Sequence, residues 1–223
     1  MSRVHDLGDY TPPLSLKNKL VHRVDRFRLL GTFLSEDLKW TEHVNNVTSS
    51  CFGVLAVLRK IKNMTPQETK KSLDQSLVLS KLNFNDTVTY LLLMFLQKRM
   101  QRVQNAAAGF VLNRYGSGED VSQLGWLPTP ANTKLNILIF GHRALYNNNW
   151  PENLTLSRRN PSRTLRSSST PLLQISLLKG AFQDSVANLY NDLPASISSI
   201  TDCHHFVKES AKILKAKAIM QLA

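Results

Sequence analysis

The chain has 223 residues, with 28 lysines and arginines against 16 aspartates and glutamates, and a formal net charge of +12. This excess favours polyanionic partners, nucleic acid before an anionic membrane, although a solvated basic surface is the plainer interpretation. The two cysteines form no disulfide framework. The longest apolar run, residues 88–96, is far shorter than the roughly 20 residues of a membrane span. Residues 1–10 do not resemble a signal peptide. We therefore expect an intracellular protein, in the nucleus or cytoplasm, with no membrane partner.

The first 40 residues favour a small β element. Pro12 and Pro13 are incompatible with a helix. The segment 26–34 is short, apolar and compatible with a strand. Gly31 within it indicates either a bulge or a close approach of another group to the backbone.

Residues 41–146 favour a helical bundle, because apolar residues recur at steps of three and four. The pattern predicts helices over 41–62, 66–80, 91–113 and 131–146. Thr41 is a candidate N-cap, and Thr65 with Glu68 has the pattern of a capping box. In the second helix, Leu73, Leu77 and Val78 are predicted to face inward.

The third predicted helix has a basic outer face. This face carries Lys98, Arg99 and Arg102 and no acidic residue. The glycine-containing segment 115–118 is predicted to end the helix. Cations spaced by about one helical turn favour contacts with backbone phosphates.

Residues 147–171 have the composition of a basic, flexible linker, rich in Asn, Pro and Ser. No acidic residue follows Glu152 in this segment. Its arginines are Arg158, Arg159, Arg163 and Arg166. Residues 172–223 show two further helical patterns, the first of which stops before Pro194, and are predicted to form a C-terminal helical extension.

The sequence offers no catalytic centre. The acidic pair at 36–37 precedes a predicted helix, where acids complement the helix dipole, and the pair at 119–120 follows the glycine-containing segment and likewise fits a helix start. The Cys-His-His sequence at 203–205 resembles half a metal site, but neighbouring helical side chains diverge, which favours an ordinary helix start. His142 lies on an apolar stripe and is interpreted as a core histidine. We expect no catalytic residue, no metal site, no cofactor and no small-molecule substrate for this chain.

Several short segments resemble the jockey-like non-LTR retrotransposon reverse transcriptases. Residues 26–31, RFRLLG, together with Trp40 and His43, resemble the primer-grip hairpin at the end of the palm. Residues 99–108, RMQRVQNAAA, resemble a helix of the thumb. Further similar segments are LGWLP at 124–128, HRAL at 142–145, RTLRSS at 163–168, FQDS at 182–185, LYNDLP at 189–194 and FVK at 206–208. They follow the family's order over about residues 20–217.

The resemblance implies a mainly α fold with a helical thumb-like bundle, a small N-terminal β element and a C-terminal helical extension. It implies that Phe27, Leu30 and Gly31 lie at the primer end, that the cations of the third helix bind phosphates, and that the arginines of 158–166 anchor nucleic acid without reading sequence. The family's palm, with its (F/Y)xDD box, has no counterpart here, so Mg²⁺ is expected only for an intact parent enzyme. Asn85 and Tyr190 also depart from the family, which often has Cys and Trp there.

The resulting hypothesis is a truncated reverse-transcriptase remnant, inactive alone, that binds RNA or DNA non-specifically for chemistry done elsewhere. Two alternatives stay open. The chain is a helical protein that binds protein partners, or it is the non-functional product of a decayed mobile element.

Overall fold

The computed structural model describes residues 14–37, 39–146, 150–159, 172–177 and 179–220. The protein is mainly helical, with short antiparallel β-hairpins before the first helix, as predicted. The strands are β1 (Ser15–Leu16), β2 (Lys19–Leu20), β3 (Arg26–Leu29) and β4 (Thr32–Ser35). The helices up to residue 123 are α1 (Thr41–Lys60), α2 (Gln67–Asp74), α3 (Ser80–Asn83), α4 (Met94–Val111) and α5 (Gly118–Gln123). The later helices are α6 (Thr129–Tyr146), α7 (Phe182–Asn191), α8 (Ala195–Ser198) and α9 (Cys203–Met220).

The β3–β4 hairpin closes through a two-residue turn at Leu30 and Gly31, because Leu29 pairs with Thr32. Both turn residues have positive φ, 47° and 88°, which is the geometry that suits the right-handed twist of the strands. A Cβ added to Gly31 would lie 3.0 Å from Phe84 Cε1. The predicted close approach at Gly31 is therefore confirmed, in a turn rather than a bulge.

Both predicted side-chain caps are wrong. The N-cap of α1 is Trp40, whose left-handed backbone already places Thr41 inside the helix. The N-cap of α2 is Pro66, with no side-chain hydrogen bond. The Thr65 hydroxyl instead donates to the carbonyl oxygen of Ile61 at 2.9 Å, so it is not available to cap α2.

The second predicted helix is continuous but irregular. Between α2 and α3 the chain makes a π-helical turn over Gln75–Leu79. The wider turn rotates the following side chains around the helix axis. Within this turn Val78 is buried and Leu77 is exposed, contrary to the prediction that Leu77 faces inward. Leu73, which precedes the turn, is half-buried.

The end of α4 is set by Asn113 rather than by the glycine-containing segment. Asn113 has φ 58°, and the N–H groups of Asn113 and Arg114 donate to the carbonyl oxygens of Phe110 and Gly109. The predicted C-terminal signal at 115–118 is therefore wrong. Gly116 packs so tightly against α4 that a Cβ there would collide with the carbonyl oxygen of Asn105.

Two apolar clusters make up the described core. The first surrounds α4 and includes Leu55 of α1 and Val78, whereas the second joins α6, α7 and α9. His142 packs on the second cluster. Its Nε2 lies 3.0 Å from the carbonyl oxygen of Ile200, and its ring stacks on Phe206 with 4.5 Å between the ring centres. The interpretation of His142 as a core histidine is confirmed.

Candidate nucleic-acid interface

The three cations predicted on α4 are exposed, but they do not face one surface. The Arg99 guanidinium donates to Oδ1 of Asn45 on α1. Lys98 lies on the other side of α4, toward α6 and α9. Arg102 makes no hydrogen bond or ion pair with the described part of the chain. The side chains of this helix therefore point to two different environments.

Arg99 lies on the side of α4 that faces a depression lined with acidic residues. Its partner Asn45 also lines a shallow depression between the β3–β4 hairpin and α1. The acidic residues lining that depression are Asp25, Glu36, Asp37 and Glu42, and Arg26 is the cation among them. Three of these carboxylates pair with Arg23, Arg26 and Lys39, so the depression has little free positive charge with which to bind a phosphate that approaches Arg99.

Lys98 is on the basic side, in a groove of about 460 Å³ that we call the lysine groove. Lys134 of α6 and Lys217 of α9 line the same groove. Its other polar lining consists of the amides Gln97, Gln101 and Asn105. Among the described residues no carboxylate lines it, so lysines from three helices border one space whose lining holds no acidic side chain.

The start of α6 is fixed onto α4 by hydrogen bonds, and this contact forms one wall of the groove. The Thr129 N–H lies 2.9 Å from both Gln101 Oε1 and Gln104 Oε1. Gln104 Nε2 donates in turn to the carbonyl oxygen of Leu127 at 2.8 Å. Since Gln104 is buried, these bonds are protected from water and hold Lys134 in a defined position relative to Lys98.

The charges of the groove lysines are not neutralised within the described residues. The ion pairs among the described residues involve other cations: Arg23, Arg26, Lys39, Arg114 and Lys212. The positive potential of the lysine groove is therefore available to a bound anion.

Lys134 and Lys217 were not among the residues predicted to bind nucleic acid. They belong to helices that are far from α4 in the sequence, and only the packing of α6 and α9 brings them to Lys98. Local patterns indicate which residues share one helix face, but not which faces of different helices meet.

A second cavity of about 420 Å³ adjoins the lysine groove and is called the side pocket. The two cavities share Gln97, Pro130 and Lys134. Asp86 lines the side pocket as a buried carboxylate, accepting a hydrogen bond from Asn136 Nδ2 at 2.8 Å. Burial raises the pKa of Asp86, opposed by hydrogen bonds from Asn136 and Thr133.

The predicted primer-end residues lie on the β3–β4 hairpin, away from the lining of both cavities. Phe27 is 56% exposed and Leu30 is 84% exposed, so both side chains are free to contact another molecule. Gly31 is backed by Phe84, and Asn85 Nδ2 donates to Thr32 Oγ1 at 2.6 Å. These contacts hold the tip of the hairpin against the segment before α4.

Part of the predicted linker packs on the rest of the chain. The N–H of Arg159 donates to the carbonyl oxygen of Leu172 at 2.8 Å, and Arg158 forms a β-bridge with Leu173. The Arg158 guanidinium donates to the Tyr146 hydroxyl at 3.1 Å. Arg163 and Arg166 lie outside the described residues, so the predicted flexibility of 147–171 stays a prediction.

Residues 14–220, apart from the gaps given above, contain no group of three or more His, Cys, Asp or Glu side chains placed to hold a metal ion. In that same part of the chain no helix combines the length and apolar character needed to cross a membrane.

Known proteins give no further guide to this site. No family model, no curated protein and no solved structure matches the chain.

Proposed function

We propose that this chain is a nucleic-acid-binding module with no catalytic activity of its own, which binds RNA or DNA through phosphates without reading sequence. One observation carries the proposal: Lys98, Lys134 and Lys217 converge on a groove whose described lining contains no carboxylate. Unpaired ammonium groups around one concave surface attract a polyanion and release its condensed counterions.

The size of the groove limits the strength of binding. Three lysine–phosphate contacts correspond to a log–log salt slope of about −2.7 on duplex DNA and about −2 on a single strand. Affinity in the micromolar range or weaker near physiological salt follows from so few contacts, as for non-specific binders in general. Such a module would hold a strand in place for another protein and would not select a site.

The resemblance to jockey-like reverse transcriptases supports this proposal. The segment 99–108 that resembles the thumb helix lies within α4, whose Lys98 lines the groove. We propose that the chain is a remnant of such an enzyme and acts in the nucleus or cytoplasm. An intact parent would use Mg²⁺ on palm aspartates that have no counterpart in this sequence.

A protein-binding function is the second candidate, and an exposed apolar segment favours it. Between α3 and the first turn of α4, large apolar side chains face solvent: Phe84, Val88, Leu91, Leu93, Met94 and Phe95. A run of this kind is typical of protein-binding surfaces.

Salt dependence separates the two functions. Fluorescence anisotropy with labelled RNA and DNA oligonucleotides, measured between about 25 and 300 mM salt, is expected to give the slopes stated above. Equal affinity across that range would overturn phosphate binding and move the protein-binding candidate ahead.

A further inference from the structure

The side pocket adjoins the lysine groove. Lys134 and Gln97 line both cavities, so a ligand whose charge is bound by Lys134 can extend into the pocket without leaving the surface. The pocket volume of about 420 Å³ falls within the range of sites that hold small organic groups, roughly 300–1,000 Å³.

The walls of the side pocket match the two surfaces of a nucleobase. Tyr90 contributes an aromatic side chain to the lining, and Leu92 and Met100 add apolar surface. The hydroxyls of Thr89 and Thr133 donate to the carbonyl oxygens of Asp86 and Thr129, so their oxygens, with the carboxyl group of Asp86, offer acceptors to a polar edge. Base–aromatic stacking and edge contacts of this kind are how proteins bind unpaired bases.

The two cavities differ in charge, and this difference indicates which part of a nucleotide suits each. Three lysines line the groove, whereas the side pocket has only the shared Lys134, beside the carboxyl group of Asp86. Burial, and after it the charges of Asp192 and Asp184, raises the pKa of Tyr90. A phosphate is therefore attracted more strongly to the groove than to the pocket. The base, which is uncharged, can enter.

We propose that the side pocket takes one unpaired base of a single strand whose phosphates lie in the lysine groove. This inference rests on the proposed function. A base in a duplex is paired and stacked and must be extruded first, which costs free energy. The site should therefore favour single strands over duplexes of the same length, a preference that lysine contacts alone do not produce.

The test compares a single-stranded 12-mer with the corresponding duplex at one fixed salt concentration, by fluorescence anisotropy. Stacking of one base corresponds to a preference on the order of tenfold for the single strand. Tyr90→Leu removes the aromatic face and should abolish most of this preference while leaving duplex affinity unchanged. Tyr115→Leu is the matched control, because Tyr115 is 99% exposed and lies outside the pocket lining, and it should keep the preference.

Other outcomes would overturn the inference in distinguishable ways. Equal affinity for single strand and duplex, or an equal loss for both in Tyr90→Leu, would show that no base enters the pocket, although lysine binding would stand. No salt-dependent binding to either would reject the proposed function itself. If Tyr90→Leu does not fold by circular dichroism, Thr133→Leu, which fills the pocket from α6, must reduce the preference instead. A mononucleotide that binds as tightly as the strand would identify a free nucleotide as the ligand and overturn the strand assignment.

Discussion

Replacing Asp74 by Asn should stabilise the protein above neutral pH. Asp74 ends α2 and is fully buried, and neither of its carboxylate oxygens has a hydrogen-bond partner in the described part of the chain. Burial raises the pKa of Asp74 from 3.8 to about 7, with the charge of Arg59 opposing the shift. The buried Lys70, one turn earlier, donates its ammonium to Asn113 Oδ1.

The sign of the pH dependence follows from proton binding. Between about pH 4 and 7 the folded chain keeps the Asp74 proton while the unfolded chain releases it, so the free energy of unfolding falls as pH rises through this window. A shift of about three pKa units corresponds to about 4 kcal/mol at 1.36 kcal/mol per unit. Asp74→Asn removes this cost, less the desolvation of the amide, and should raise the free energy of unfolding at pH 8 by about 2–4 kcal/mol.

Urea unfolding followed by circular dichroism at pH 5 and pH 8 measures this effect. The gain from Asp74→Asn should be large at pH 8 and much smaller at pH 5. Asp25→Asn is the control, since Asp25 is exposed, and it should change little at either pH. A variant that is no more stable than the wild type at pH 8, or a gain that is equal at both pH values, would refute the reasoning.

Three further predictions concern chemistry, order and packing. The purified chain should not extend a primer on a homopolymer template with Mg²⁺ or Mn²⁺, because its described residues hold no acidic group placed for the metal ions of two-metal phosphoryl transfer; extension that survives purification would contradict this. Limited trypsin digestion should cut first at Arg163 or Arg166, before Arg158 and Arg159, which bond to Leu172 and Leu173; an early cut within α4 would mean that the bundle does not fold as described. Gly116→Ala should lower the free energy of unfolding by more than about 2 kcal/mol, because its Cβ collides with the Asn105 carbonyl oxygen. Gly53→Ala, where a Cβ meets nothing within 4 Å on α1, should instead be neutral or stabilise by up to about 1 kcal/mol in thermal or urea unfolding.

The fold class could be predicted from the sequence because the apolar period in α1, α4 and α6 is regular over several turns. Features of the fold that depend on single hydrogen bonds could not be predicted from the sequence. Thr65 has the pattern of a cap but bonds backward to Ile61, and the π-helical turn before Leu79 moves Leu77 to the surface. The end of α4 depends on the left-handed Asn113, which the glycines nearby obscured.

The candidate site was only partly predictable, for a related reason. Lys98 could be found because its helix face lacks acidic residues. Its pairing with Lys134 and Lys217 depends on how α6 and α9 pack, and the separation of Lys98 from Arg99 depends on Asn45 of α1. These contacts are tertiary, and no single-helix pattern contains them.

The most direct test of nucleic-acid binding by the lysine groove compares two charge-matched variants. In the first, Lys98, Lys134 and Lys217 are replaced together by Gln. In the second, the exposed lysines Lys60, Lys179 and Lys208, which lie outside the groove lining, are replaced by Gln. Net charge falls equally in both.

The measured quantity is the log–log salt slope of affinity for a duplex oligonucleotide, with helicity checked by circular dichroism. The groove variant should lose about two to three units of slope, one for each phosphate contact removed, whereas the control variant should keep most of the wild-type slope. An equal loss in both variants would show that binding depends on overall charge, and an unchanged slope in the groove variant would show that these lysines do not bind phosphates.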